Sequence, residues 1–287
     1  TVTDIDGNIY QTVQIGHQLW MKENLAVSHY NDGSEIPLID NSNEWYQLSS
    51  GGYSIYDEDS QNSDIYGYLY NWYVVDDDRG FCPDGWHVPS NEEFTILTDF
   101  LGGESVAGGK MKDIGTDYWV DPNTGATNES GFTGLPSGDR WHNGGYADIN
   151  YEARYWSSSL IEIQENQVYA WDRRLLYDNT SITGNYNDKK NGYSIRCIAN
   201  EPQTGTILVP ENFATIQEAL NYAIEGDTVL VSPGTYYENI IWPSTNGIKL
   251  IGSGQDDCFI DGSQESSVIR IADVSYYYYG FSTDIDS

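Results

Sequence analysis

The chain has 287 residues, 39% of them hydrophobic and including nine Trp and 24 Tyr, which is enough for one large or two ordinary domains with packed cores. Thirteen Lys and Arg against 44 Asp and Glu give a formal net charge of −31, which disfavours nucleic acid and anionic membranes as partners. No apolar run approaches the roughly 18 residues of a membrane span, so we expect no membrane insertion.

The first predicted elements are short strands among irregular, loop-forming stretches. Residues 8–15 and 18–21 have strand character and flank Gly16 and His17. Just before them, the segment DIDGN alternates acidic residues as a calcium loop does, but Asp-Gly between apolar residues first predicts a hairpin turn. The acidic runs at 57–59 and 76–78 predict solvated loops, because adjacent carboxylates point apart.

The stretch SNEEFTILTDFLGG predicts a helix. Ser90 and Glu93 form a capping box, and Gly102 and Gly103 supply a left-handed end. One apolar face is formed by Phe94, Leu97, Phe100 and Leu101. The sequence therefore predicts an amphipathic helix packed on the rest of its domain, with His87 in the preceding GWHVP turn making a structural hydrogen bond.

Two cysteines stand at informative places. Cys82 precedes this helix, and Cys197 lies in the alternating segment NGYSIRCIAN, which predicts a strand. No other cysteine occurs before Cys258. The pair suggests a disulfide, which fits an extracellular or cell-surface protein.

A polar linker at 201–205 separates two regions of different character. Beyond it, Thr215 and Glu218 form a second capping box before an apolar helical face that ends at Gly226. Strand-like segments then recur about every twenty residues, at 228–231, 248–251 and 268–271, with others at 239–242 and 258–260. A fixed period of this kind predicts a solenoid.

Six blocks in order carry a family resemblance: DIDGNIYQTVQIGHQLWMKENLAVSHYNDGSEIP, YGYLYNWYVV, CPDGWHVPSNEEFTILTDFLGG, NTGATNESGFTGLPSGDR, YWSSS and GYSIRC. This part resembles the Fibrobacter succinogenes major paralogous domain, which implies an α+β, C-type-lectin-like fold related to the formylglycine-generating-enzyme group. The segment after the linker resembles the cap and first coils of a right-handed parallel β-helix of the pectate-lyase-like type. We therefore expect a lectin-like domain at 1–200, a linker at 201–205, and an all-β β-helix fragment with an N-terminal capping helix at 206–287. The fragment is expected to be truncated, with residues 276–281 beginning a further turn.

Compact catalytic motifs such as HExxH, GxSxG, the Walker loop, GxGxxG and CxxC are absent from the sequence, so no catalytic residue is assigned. An enzyme stays an alternative in two forms. Cys82 and Cys197 could hold copper, as paired cysteines do in formylglycine-generating oxidases, although we favour the disulfide. The β-helix could belong to a polysaccharide-degrading enzyme, whose site needs carboxylates and a basic residue on one face across several coils. For such a site this segment offers Lys249 and Arg270 and few positions to complete it.

Calcium-dependent C-type lectins use Glu-Pro-Asn or Gln-Pro-Asp with Trp-Asn-Asp, and this sequence has neither. No metal ligand or cofactor is assigned, and calcium is the one cofactor that the acidic composition would suit. The RWHNGGYADINY loop places Arg140, Trp141 and Tyr146 among flexible residues, so these are the predicted ligand-binding residues. We expect a secreted or surface-displayed binding or adhesion protein that recognises carbohydrate or an extracellular protein, with a ligand-free structural envelope module as a further alternative.

Overall fold

The fold is described from a computed structural model over residues 1–164, 167–254, 257–262 and 268–271. The chain divides into two compact units, Thr1–Gln203 and Thr204–Ser287. The division falls within the predicted linker. Residues 276–281, for which a further turn of the solenoid is predicted, lie outside the described residues.

The first unit is mixed α/β, with most of its strands in two sheets. Its strands are β1 (Val2–Thr3), β2 (Ile9–Tyr10), β3 (Thr12–Ile15), β4 (Gln18–Met21), β5 (Tyr53–Ser54), β6 (Leu69–Asn71), β7 (Trp86–His87), β8 (Ser137–Arg140), β9 (Tyr146–Ile149), β10 (Glu152–Gln164), β11 (Gln167–Leu176), β12 (Ile182–Asn187), β13 (Gly192–Tyr193) and β14 (Ile198–Ala199). Strands β1 and β2 form a separate hairpin whose turn carries the DIDGN segment, as predicted. The predicted strand at 8–15 is interrupted at Gln11, whose N–H is bound by the Glu23 carboxylate.

The larger sheet has eight strands in the order β12-β11-β10-β8-β13-β6-β5, with β9 paired to β8. Strands β10 and β8 run parallel, and the other pairs given register are antiparallel. The smaller sheet has the order β3-β4-β14-β7. Strand β12 therefore lies at one edge of the larger sheet, beside the long β10–β11 hairpin.

The helices of this unit are short, and several pack close to loops. They are α1 (Ser42–Gln47), a 3-10 turn (Tyr56–Glu58), α2 (Ser60–Tyr66), α3 (Trp72–Val75), α4 (Asn91–Phe100) and α5 (Glu104–Met111). The predicted capping box is present at the start of α4, where Ser90 and Glu93 each bind the other's backbone N–H. Five tryptophans lie fully buried in or beside the core: Trp20, Trp45, Trp72, Trp119 and Trp156.

Cys82 and Cys197 form a disulfide that joins points 115 residues apart, which confirms the predicted pairing. Both cysteines are buried in one hydrophobic cluster. Because the two sulfurs are bonded to each other, they cannot act as the thiolate ligands of copper. The copper alternative is therefore wrong for this state of the protein.

Three buried cations hold loops by donating to backbone carbonyls. Lys112 Nζ donates to the carbonyls of Thr124, Leu176 and Asn179, each at 2.9 Å. Arg196 donates to the carbonyls of Phe132 and Thr133 and to Asn24 Oδ1, and Arg140 binds a further loop in the same way. Burial lowers the pKa of Lys112 to about 8. These side chains supply hydrogen bonds to backbone carbonyls, most of which lie in loops.

The described part of the second unit contains one helix and parallel strands. Its elements are β15 (Thr206–Val209), α6 (Ile216–Tyr222), β16 (Thr228–Val231), β17 (Gly234–Tyr236), β18 (Ile240–Trp242), β19 (Lys249–Gly252), β20 (Cys258–Ile260) and β21 (Ile269–Ile271). Three parallel sheets arise, β15-β16-β19, β17-β20 and β18-β21. The second predicted capping box is present, with Thr215 and Glu218 at the start of α6.

The number of residues between paired strands differs from one sheet of this unit to the next, so the predicted fixed period of twenty is wrong. The register pairs Thr228 with Lys249, Gly234 with Cys258, and Ile240 with Ile269. These offsets are 21, 24 and 29 residues. Turns of different length between the strands account for the drift. The assignment to the β-helix family stays a prediction.

Among the described residues, no helix is both long and apolar enough to span a bilayer.

Candidate functional site

The predicted ligand loop is a tight hairpin turn between β8 and β9. Trp141 N–H donates to the Gly145 carbonyl at 2.8 Å, and Gly144 N–H donates to the Trp141 carbonyl at 2.8 Å. Gly144 has a φ of +87°, and a Cβ added there would lie 2.5 Å from the Cα of Ser42. The turn therefore sits directly on the start of α1 and depends on glycine at that position.

Arg140 holds this turn from inside. Its side chain is fully buried, and Nε donates to the Gly144 carbonyl at 3.1 Å, while the other two nitrogens donate to the carbonyls of Ile39 and Asp40. The guanidinium lies between two rings, 4.4 Å from the centroid of Trp45 and 4.7 Å from that of Tyr146. Arg140 is an internal anchor, and its charge does not face solvent.

Tyr146 is half-buried and belongs to the same framework. Its ring stacks on Arg140 and lies 5.2 Å from the ring of Tyr56. Its hydroxyl faces that of Ser54, and burial raises the pKa of Tyr146. Of the three predicted ligand residues, Arg140 and Tyr146 thus support the turn from below.

Trp141 is the exposed member, with 50% of its surface accessible. Beside it, the N–H of His142 donates to Asn191 Oδ1 at 2.7 Å, which ties the turn to the loop before β13. Lys190 of that loop donates to the Tyr46 carbonyl at 2.9 Å. We define the Trp141 surface as Tyr46, Trp141, His142, Asn143 and Lys190, which these contacts bring into one neighbourhood.

The tryptophans differ in how their indole N–H is used. The five fully buried ones donate to acceptors inside the fold: Trp20 to Gln18, Trp45 to Lys190, Trp72 to Ser157, Trp119 to Gly134 and Trp156 to Tyr70. The indole N–H groups of Trp141 and Trp171 donate to no acceptor in the described part of the chain. These two indoles therefore keep a donor for a partner outside the fold.

Trp171 belongs to a second aromatic surface on the β11–β12 pair. Its ring lies 5.7 Å from that of Tyr186, which in turn lies 5.9 Å from Tyr169. Sequence analysis placed Tyr169 and Trp171 in no site. The alternation Tyr-x-Trp was a usable signal, because residues two apart in a strand share a face.

An acidic group of two buried carboxylates and one exposed carboxylate lies at the β9–β10 turn. Asp139, Asp148 and Glu152 bring carboxylate oxygens within 4.8 Å of one another. The sequence analysis missed this group, although Asp148 and Glu152 belong to the alternating segment DINYE. Alternating acidic and amide residues are one signature of a calcium loop.

The charge of this group is already balanced by arginine. Arg154 Nε lies 2.6 Å from Glu152 and 3.3 Å from Asp139, and Arg174 also pairs with Glu152. The guanidinium of Arg154 stands between the two buried carboxylates, where a metal ion would be repelled. Burial raises the pKa of Asp139 to about 7; Arg154 opposes the shift, and Glu152 adds to it. The group fits an internal ion-pair network better than a metal centre.

His87 bridges the last strand region and α4. Its ring nitrogens lie 2.7 Å from Asn200 Oδ1 and 2.8 Å from Glu93 Oε1. The hydrogen bond with Glu93 raises the pKa of His87, and burial opposes the shift. The structural role predicted for His87 is confirmed.

Comparison with known families gives one assignment. The sequence profile of the Fibrobacter succinogenes major domain matches residues 13–199, which is well over half of the chain and includes both aromatic surfaces. No curated protein and no solved structure matches the chain. The chain therefore belongs to the Fibrobacter succinogenes major domain family.

Proposed function

We propose that this chain is an extracellular or cell-surface recognition protein, and that its first unit binds a carbohydrate or a protein partner through the Trp141 surface. The observation that carries the proposal is the pairing of a half-exposed indole with a rigidly anchored turn. Aromatic residues on rigid loops are common centres of binding energy, because little conformational freedom is lost on binding.

The disulfide supports the compartment. Disulfides persist in oxidising environments and are rare in cytosolic proteins. Cys82 and Cys197 are both buried, so the bond is part of the core. An extracellular location fits a core built around this bond.

The Trp141 surface also offers hydrogen-bonding groups beside the ring. Lys190 lies 5.4 Å from the centroid of the Tyr46 ring, and Tyr46 is 51% exposed. Together with the free indole N–H of Trp141, these groups supply donors around an aromatic centre. Such a mixture is typical of the small set of residues that dominates a binding interface.

The experiment is glycan-array binding of the full chain, with and without EDTA, repeated with the variants Trp141→Ala and Tyr118→Ala. Truncating a central aromatic costs about 2 kcal/mol, which corresponds to a loss of affinity of more than about tenfold. We expect that loss for Trp141→Ala. Tyr118 is the matched control, because it is an aromatic residue outside the Trp141 surface and is 37% exposed, with its ring beside that of Tyr66.

Two results would contradict the proposal. One is that Trp141→Ala binds every array ligand as the wild type does. The other is that Tyr118→Ala loses affinity to the same degree, which would point to a general loss of structure. A loss of binding on addition of EDTA would show that calcium takes part, which the residues of the Trp141 surface do not require.

A further inference from the structure

The second aromatic surface lies on the edge of the larger sheet. We define the hairpin surface as Tyr169, Trp171 and Tyr186. Trp171 and Tyr186 are paired across β11 and β12, and Tyr169 lies two residues before Trp171 on the same strand. Tyr186 is 46% exposed, and the other two rings are partly exposed. The three rings therefore lie on one face, with the centroid of the Tyr186 ring less than 6 Å from the centroid of each of the other two.

A cleft of about 210 Å³ adjoins this surface. It is lined by Tyr73, Gln167, Val168, Tyr169, Asp188 and Lys189. Tyr169 is common to the hairpin surface and the cleft. The cleft is smaller than the roughly 300 Å³ at which drug-sized ligand pockets begin, so it suits one small ring of a longer ligand.

The polar groups here are fixed in place by the fold. Lys189 Nζ lies 4.5 Å from the centroid of the buried Trp72 ring, and the Lys189 carbonyl accepts the backbone N–H of Trp72. One Asp188 oxygen accepts the N–H of Lys190 at 2.9 Å. A cation and a carboxylate thus stand side by side next to the aromatic rings.

The chemistry of the ligand follows from these groups. Lys189 and Asp188 compensate each other, and the chain as a whole carries a net charge of −31, so an anionic ligand is repelled. The Tyr169 and Tyr186 hydroxyls and the Trp171 N–H have no hydrogen-bond partner among the described residues. An apolar ligand would bury them unpaired, at a cost of about 1–3 kcal/mol each. A neutral ligand with flat apolar faces and many hydroxyls satisfies both conditions.

We propose that the hairpin surface and its cleft form a binding site for a neutral oligosaccharide. One sugar ring enters the cleft beside Tyr73, Asp188 and Lys189, and the following rings stack on Tyr169 and Trp171. The proposal involves no residue of the Trp141 surface. It shares with the proposed function only the premise that the first unit binds a ligand.

The test is isothermal titration of the full chain with cellohexaose, xylohexaose and mannohexaose as neutral probes, and with hexagalacturonate as the anionic probe. We expect at least one neutral hexasaccharide to bind and hexagalacturonate not to bind. Trp171→Ala should weaken binding at least about tenfold, because it removes a stacking ring. Tyr186→Ala should also weaken binding, because the Tyr186 ring contacts the rings of both Tyr169 and Trp171. Trp171→Phe keeps a ring and should recover part of the affinity.

Leu160→Ala is the matched control, because Leu160 lies on β10 of the same hairpin, is 44% exposed and carries no ring. It should bind as the wild type does. The proposal is overturned if none of the three neutral hexasaccharides binds, or if Trp171→Ala binds normally. It is also overturned if decaproline binds in place of the glycans, which would make the site one for peptides. A loss confined to Trp141→Ala would place the glycan on the Trp141 surface and likewise overturn it.

Discussion

Arg140→Lys tests whether a buried guanidinium anchors the Trp141 turn. Arg140 donates to three backbone carbonyls, of Gly144, Ile39 and Asp40. A lysine keeps the charge but lacks the planar fork, so it can satisfy only part of this set. Each hydrogen bond from a charged donor contributes about 1.5–3 kcal/mol, and rehydration of the loop carbonyls offsets part of the loss. We expect the free energy of unfolding of the first unit to fall by about 2–4 kcal/mol.

Urea denaturation followed by Trp fluorescence measures this change in the full chain. Of the nine Trp, only Trp242 lies beyond residue 203, so the signal reports mainly on the first unit. Arg79→Lys is the matched control: Arg79 is exposed and pairs with Asp77, so its replacement should change the stability by less than about 1 kcal/mol. Acrylamide quenching of Trp fluorescence reports whether the Trp side chains become more exposed. Arg140 is not an anchor if Arg140→Lys lowers the free energy of unfolding no more than Arg79→Lys does and the two variants are quenched equally.

Three further predictions concern the core of the first unit. Replacing Cys82 and Cys197 by Ser should lower the free energy of unfolding by about 4–5 kcal/mol, which is the chain-entropy value for a loop of 115 residues. Free thiols at both positions in a non-reduced digest would contradict the disulfide. The raised pKa of His87 adds to the free energy of unfolding; this contribution is complete below pH 6.5 and is lost as the pH rises through the folded-state pKa. In His87→Gln, the free energies of unfolding at pH 5.5 and pH 8 should therefore differ less than in the wild type. The same pH dependence in both proteins would refute this prediction. The pKa of Asp139 is raised because burial disfavours its charged form. The wild type should therefore lose stability relative to Asp139→Asn as the pH rises from 3.8 to about 7. A constant stability difference between the two proteins across that range would contradict this prediction.

Local signals in the sequence predicted the two capped helices and the hairpin at the start of the chain. The capping boxes at Ser90 and Thr215 are present because the side chain and backbone groups involved lie within one turn of each other. The spacing of apolar residues also predicted correctly which face is buried, with Phe94 and Leu97 fully covered. Such features depend on neighbouring residues alone.

Helix α5 shows why other elements were missed. It contains Gly108 and Gly109, which lower helix propensity, and no side chain caps its first turn. In the structure, a Cβ on Gly108 would lie 2.2 Å from the Ser181 carbonyl oxygen, and one on Gly109 would lie 2.4 Å from that of Gly125. The glycines are needed for contacts with loops far away in the chain, which a local pattern does not report.

The candidate site was predicted in part for a similar reason. The sequence indicated that the loop around Trp141 carries an exposed ring, because Gly-rich loops with aromatic residues lie at surfaces. It gave Arg140 and Tyr146 the same role, although both lie beneath the turn. Their burial depends on Trp45 and Tyr56, which come from distant segments. The pairing of Trp171 with Tyr186 likewise depends on a strand register that short-range spacing does not fix.

The buried cations hold loops through backbone carbonyls, so the position of such a loop depends little on its exposed side chains. Arg140 grips the turn through Gly144 and the facing segment through Ile39 and Asp40, and none of these contacts uses the side chains of residues 141–143. At the tip, Asn143 Oδ1 accepts the Gly145 N–H at 3.0 Å, so Trp141 and His142 are the positions whose side chains can vary while the ends of the turn stay fixed. Such an arrangement suits a scaffold on which new specificities arise by exchange of a few residues, whether through gene duplication or through grafting of a chosen peptide between Arg140 and Gly144.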